Sequence, residues 1–173
     1  MKIAIGAMVL AAASSCALAQ DVSNPVVTSA KEIFQRQSGY MVAAAEQMPA
    51  DKYAYHPTPD QWPFGKIISH VIVANFGVCG MLSADGPGTG PAVTDTTPKD
   101  QLVAALKQSF DTCQKALDGL QDSSLGTTIN YFRGAKKPRA RALFELTDDL
   151  EDHYSQMASY LRMSGMLPPS VKK

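Results

Sequence analysis

Neither sign of charge prevails in this chain: 16 Lys and Arg balance 16 Asp and Glu over 173 residues. No run of Lys or Arg forms a stripe, which argues against nucleic acid as a partner. There is no Cys-x-x-Cys-His, so covalent c-type haem is excluded. Paired Glu-x-x-His motifs are missing too, which removes the ligand set of a di-iron bundle. A non-covalent haem held by a first-helix Met and His153 would leave His70 without a role, so no haem is expected. Beyond the first residues no apolar run reads as long enough to cross a bilayer. No internal repeat, linker or second domain is visible.

What the chain does have begins with Lys2 and an apolar run from Ile3 to Ala13, followed by Ala17-Leu18-Ala19. The run is short for a membrane span and ends in small residues that a signal peptidase reads. Residues 1–19 therefore read as a cleavable secretory signal, and residues 20–173 as one mature domain beginning at Gln20. A periplasmic or secreted location is the expectation. Cys16 raises the question of a lipoprotein, but Ala13-Ser14-Ser15 lacks the Leu usual before a lipid-modified cysteine. Losing the signal would also remove Cys16 and leave Cys79 and Cys113. In an oxidising compartment that pair reads as a disulfide, with two buried free thiols as the alternative. Closing such a loop is worth about 3–4 kcal/mol on a chain-entropy argument.

Hydrophobic spacing gives four helices and almost no strand. Val26, Ala30, Ile33, Phe34, Met41, Ala44 and Met48 recur at three and four, the period of one helix face, and stop before Pro49. Phe64, Ile67, Ile68, Val71, Val78, Cys79 and Leu82 repeat the pattern and end in a Gly/Pro-rich loop. Thr97-Pro98-Lys99-Asp100 opens a third helix, with Thr97 read as its cap and Pro98 as its first residue. Its stripe is Leu102, Leu106, Phe110, Cys113, Leu117 and Leu120. The fourth runs from about Ala140 to Ser164, with Gly165 and Pro168-Pro169 to end it. Four amphipathic helices bury their stripes most simply against one another, so the fold class is all-α, a four-helix bundle with long connecting loops. The connection from Pro49 to Pro63, with Tyr53, Tyr55 and Trp62, is expected to pack over one end. The connection from Gln121 to Pro138 carries Tyr131 and Phe132 and leads into a basic run, Lys136 to Arg141.

Chemistry must come from polar groups beside these stripes. His70 sits one turn from Ile67 and Ala74 on the second helix; Asp149 and His153, four apart, project from one side of the fourth. If those faces meet, two imidazoles and a carboxylate form a facial set with open positions, suited to Zn(II), Fe(II), Mn(II) or Ni(II). The plain alternative is a hydrogen-bonded boundary histidine and a helix-surface pair. Asn75 interrupts the second stripe, and can orient a ligand or tie helix to loop. Gln37 interrupts the first and is a candidate pocket residue. Gln156, one turn after His153, can reach the metal's water or lie on the bundle surface.

Met48-Pro49 with Pro57-Thr58-Pro59, then Phe64-Gly65 with His70 and Asn75, resemble the start of a DinB-like domain. Asp149 to Gln156, then Tyr160-Leu161-Arg162 and Gly165 to Pro169, resemble that family's last helix. The resemblance covers nearly the whole mature chain. It implies a four-helix bundle, commonly with a divalent metal held by one His on the second helix and a His-x-x-x-His pair on the fourth. Those positions here are His70, Asp149 and His153, so Asp149 stands where the family usually has His. Asp can ligate and gives the site a harder character; the same change also fits a member that has lost its metal.

Some relatives are thiol-dependent transferases or hydrolases, so the resemblance implies a metal-activated nucleophile. A non-catalytic exported binding bundle with a degenerate site is the competing reading. An unidentified small molecule is the expected partner, and a homodimer is left open.

Overall fold

A computed structural model of the protein describes residues 23–84 and 86–171. The expected signal segment and Cys16 lie outside the described residues. Four helices dominate: α1 (Pro25–Gln47), α2 (Phe64–Ser83), α3 (Lys99–Asp118) and α4 (Arg139–Met163). Their bounds follow the apolar stripes, and residues from all four form one core.

Pair contacts give the helix directions. Arg36 meets Glu151 at 3.0 Å and Gln47 donates to the Leu167 carbonyl at 2.9 Å, so α1 and α4 run parallel. Asn75 pairs with Ser109, and Cys79 with Cys113, each 34 residues on, so α2 and α3 are parallel as well. Lys31–Asp118 and Lys107–Glu46 make α1 antiparallel to α3. Phe64 packs near Tyr160 while His70 meets Asp149, which makes α2 antiparallel to α4. The bundle is therefore up, down, down, up, with α1 and α2 on a diagonal.

A parallel α2–α3 pair obliges the connecting chain to climb back along α2, about 30 Å for 20 residues. Residues 86–98 do this by lying directly on the helix. A Cβ on Gly80 would sit 2.2 Å from the Gly88 nitrogen, and one on Gly65, near the other end of α2, would sit 2.7 Å from the Asp95 carbonyl. The Gly/Pro-rich loop is thus a packed return strap, for which close backbone approach is required.

Three local features differ from the sequence reading. Thr127 to Pro138 contains a short antiparallel hairpin, β1 (Thr128–Asn130) and β2 (Lys136–Pro138), where no strand was expected. Its three-residue strands are too short for alternation to register, and only Ile129 turns into the core. Pro98, not Thr97, is the residue that precedes α3, and it makes no side-chain cap; the Thr97 hydroxyl accepts from the Thr94 amide at 2.9 Å instead. α2 is long and apolar enough to cross a membrane, contrary to the reading that no such run follows the first. Its most apolar window is 67% buried inside the bundle, so that apolarity serves the core.

The ends of α1 are closed by distant side chains. Asp122 accepts from the Val26 and Val27 amides at 3.0 and 2.8 Å, satisfying orphan donors with an anion at the positive end. Lys99 donates to the Glu46 and Met48 carbonyls at 2.7 and 2.8 Å at the other end. Cys79 and Cys113 form a disulfide in the core between α2 and α3, with Cα atoms 5.0 Å apart.

Candidate metal centre

The connection after α1 packs over the start of α2, as expected, because α2's first amides need acceptors. Gly65 donates to the Tyr53 carbonyl at 2.8 Å and Phe64 to the Tyr55 carbonyl at 3.0 Å. The Tyr53 hydroxyl in turn donates to Ala45 at 2.7 Å. This closure carries Trp62 onto the face of the bundle where α2 meets α4.

His70, Asp149 and His153 converge on that face. The Nε2 atoms of both histidines point at one oxygen, Asp149 Oδ1, at 3.5 Å from His70 and 3.4 Å from His153. The imidazole centroids are 4.7 Å apart and nearly perpendicular, at 68°. Burial is graded: the His153 side chain is 8% exposed, Asp149 20% and His70 37%. His70 is therefore the most open member of the triad and His153 the most enclosed.

Electrostatics follow from that gradient. Burial pushes the Asp149 carboxyl up, but hydrogen bonds and charge attraction from His153 and His70 outweigh it and hold the group at about 2. Burial likewise lowers His153, and the hydrogen bond and charge of Asp149, helped by Gln156 and Asp152, more than reverse this and raise it. The ordering of His153 has a further cause. The Gln156 amide nitrogen donates to Asp152 at 3.0 Å, which leaves its Oε1 as an acceptor 3.3 Å from His153 Nδ1. With an ion on Nε2, Nδ1 carries the proton and donates to Gln156; without one, Nε2 donates to Asp149.

These three side chains fit a divalent ion. Their ligand atoms all lie within 4.8 Å of one another. Donors at about 2.1 Å on one side of an ion stand about 3.0–3.4 Å apart, which the two histidine–Asp149 contacts nearly match at 3.5 and 3.4 Å, so closure is mainly an approach of the two imidazoles. Two neutral imidazoles and one carboxylate on a single side of the ion leave positions open.

The other expected site residues divide. Gln156 is hydrogen-bonded to His153. Asn75 is committed elsewhere: its amide donates to Ser109 at 2.9 Å, tying α2 to α3 beside the disulfide, and its Oδ1 is buried without a partner among the described residues. Gln37 is buried on α1 with Oε1 also unpartnered, and it lines neither cavity at the triad. Trp62, a loop aromatic by its sequence position, belongs to the site. Its ring stacks on His153 at 6.0 Å and 18°, and lies 5.1 Å from His70. The Tyr160 hydroxyl holds it by donating to the Trp62 carbonyl at 2.6 Å. Its being the sole Trp of the chain, placed just before α2, was the available signal.

Two cavities flank the triad. One of about 340 Å³ is lined by Gln61, Trp62, Asp152, His153, Gln156 and Tyr160. Another, of about 240 Å³, opens on His70 and Asp149 and is walled mainly by apolar side chains.

The sequence profile of the DinB superfamily matches residues 33–157. The chain belongs to the DinB superfamily. Solved structures share the bundle: a DinB-like protein from Bacillus cereus superposes with a TM-score of 0.66 at 16% identity, covering 84% of this chain and 97% of that one. A conserved protein from Enterococcus faecalis gives 0.63 at 16% identity, covering 80% and 96%. A mycothiol-dependent maleylpyruvate isomerase gives 0.63 at 11% identity over 76% of this chain, which spans 60% of the isomerase. At these identities the likeness is one of fold. No curated protein is matched by sequence.

Proposed function

We propose that this DinB superfamily member is an exported metal-dependent hydrolase or thiol-type transferase acting on a small molecule. His70, Asp149 and His153 are its ligands for a divalent transition ion, Zn, Ni, Fe or Mn. The observation that carries the reading is the aim of both Nε2 atoms at one carboxylate oxygen, beside cavities that reach the surface.

An ion held there supplies Lewis acidity, which acidifies a water or thiol nucleophile. The chain's own residues do the rest. Gln156 keeps the His153 proton on Nδ1. Trp62 covers the imidazoles and limits water on that side. Asp149 lowers the net charge of the ion and its ligands by one, giving a harder site than three imidazoles would. Export is supported by the N-terminal pattern of residues 1–19 and by a buried disulfide, which persists in oxidising compartments.

One observation favours a second reading. Asp149 already accepts from both histidines, so the triad is self-satisfied when the imidazoles are protonated. A bundle of that kind holds a ligand without chemistry. Metal content separates the two. The mature chain, exported without a polyhistidine tag, is expected to carry close to one ion per chain, lost in His70→Ala and His153→Ala. Metal-free protein even after incubation with Zn, Ni, Mn and Fe(II) would leave the binding-protein reading.

A further inference from the structure

The 240 Å³ cavity differs in kind from its neighbour across the triad. Val73, Ala74, Val78 and Phe132 form its apolar walls, and two of the proposed ligands, His70 and Asp149, also line it. Glu145 is the remaining charged group on its lining, and that carboxylate is occupied. It pairs with Arg141 and accepts the Tyr131 hydroxyl at 2.8 Å. No free charge other than Asp149 therefore faces the space.

The wall is constructed, not incidental. Phe132 arrives from the hairpin loop, where Arg133 and Gly134 adopt positive φ of 57° and 76° to make the turn. Its ring lies against α2 where residue 77 has no side chain; a Cβ there would sit 3.2 Å from Phe132 Cε1. Tyr131, edge-on to Phe132 at 5.1 Å, is anchored by Glu145 and braces the ring from behind. Val73 is left 56% exposed at the rim, an apolar group whose burial an occupant would complete.

We propose that this cavity is a specificity pocket for a small apolar group, a phenyl or short alkyl chain, on a substrate whose reacting polar end lies at His70, Asp149 and His153. The inference rests on the metal reading above and adds the substrate class. An apolar cavity of about 150 Å³ is enough for benzene, so the space suits a phenyl or an alkyl chain of about six carbons. The polar remainder of such a substrate faces the other cavity, where the Gln61 amide nitrogen can donate and Asp152 can accept hydrogen bonds.

Hydroxamates test this without an assay for turnover. Acetohydroxamate, hexanohydroxamate and benzohydroxamate are titrated calorimetrically into the metal-loaded mature chain. Each buried methylene is worth roughly fourfold in affinity. Hexanohydroxamate and benzohydroxamate are therefore expected to bind at least about tenfold more tightly than acetohydroxamate. Ala74→Leu, which fills the cavity, is expected to abolish that gain. Val73→Asp, an exposed change that the fold tolerates, is expected to reduce it by placing a charge at the rim. A flat series, or a gain that survives both substitutions, overturns the pocket.

Metal-free protein with labelled Phe132 is titrated with phenol in parallel and followed by NMR. Shifts at Phe132 without any hydroxamate uptake would support the pocket while defeating the metal reading. Neither shifts nor uptake overturns the pocket itself.

Discussion

Asp149 and His153 stand one turn apart on α4, with Oδ1 3.4 Å from Nε2, and the same oxygen receives His70 from across the bundle. One carboxylate thus gathers two imidazoles at a single oxygen, and the proposed metal reading takes this preorganisation as what lets Asp149 serve as a ligand. Asp149→His is expected to keep a stoichiometric ion, measured by mass spectrometry, and Asp149→Ala to weaken binding by at least about tenfold, or 1.4 kcal/mol. Equal retention by Asp149→Ala would remove the carboxylate from the ligand set.

The hydrogen bond from His153 Nδ1 to Gln156 predicts an indirect effect. Gln156→Leu should cost about 10–100-fold in metal affinity, as loss of a ligand's supporting partner typically does. Gln156→Glu, which restores an acceptor, should recover most of it. Isothermal titration with Zn(II) checks both; identical affinities in wild type and Gln156→Leu would show that the contact does not orient the ring.

Much of this is legible in the sequence. Leu102, Leu106, Phe110, Cys113 and Leu117 repeat strictly enough to mark one helix face, and the i, i+4 spacing of Asp149 and His153 fixes their common side. Helix directions were not legible, because nothing local in Asn75 announces a partner 34 residues away. The Asp122 cap on α1 is likewise a contact over 95 residues. Trp62 reaches the triad only because the Tyr53 and Tyr55 carbonyls cap α2 and close the loop. Such dependence on tertiary closure leaves no periodic trace.

Metal-free protein should have a pH-dependent stability set by the same triad. The Asp149 carboxyl lies at about 2 when folded against an ordinary 3.8, so its stabilisation is full above the unfolded value and is lost as pH falls from 3.8 towards 2. His153 is raised above 6.5, so its contribution is full below 6.5 and is lost as pH rises through the folded value. Both describe one interaction and do not add; its size is about 2 kcal/mol. The melting temperature of wild type minus Asp149→Asn should be greatest between these limits. A difference unchanged from pH 2 to about 8 would contradict the ion pairing. With metal present, protons compete for His153, and affinity should fall as pH drops through its raised value.

Trp62 gives an internal probe. With its ring 5.1 Å from His70 and 6.0 Å from His153, Ni(II) or Co(II) at the triad should quench its emission saturably. His70→Ala should abolish the quenching, while Trp62→Phe should still bind the ion by mass spectrometry. Unchanged quenching in His70→Ala would place the metal elsewhere.

The Cys79–Cys113 bond closes a loop of 34 residues inside the core. Cys79→Ala/Cys113→Ala should lower stability by about 3–4 kcal/mol in denaturant unfolding, on the chain-entropy estimate. Both helices retain their other contacts, so the double variant should still fold. Loss of less than about 1 kcal/mol would mean the helices are held as well without the bond.

The central claim, an ion held by His70, Asp149 and His153, is tested most directly by anomalous diffraction at the metal edge from crystals of the metal-loaded protein. A single strong peak is expected about 2.0–2.2 Å from Nε2 of both histidines and from an Asp149 oxygen. A well-ordered triad with no peak between these atoms, in crystals grown with excess metal, would contradict the account and leave the protein as a helical binding bundle.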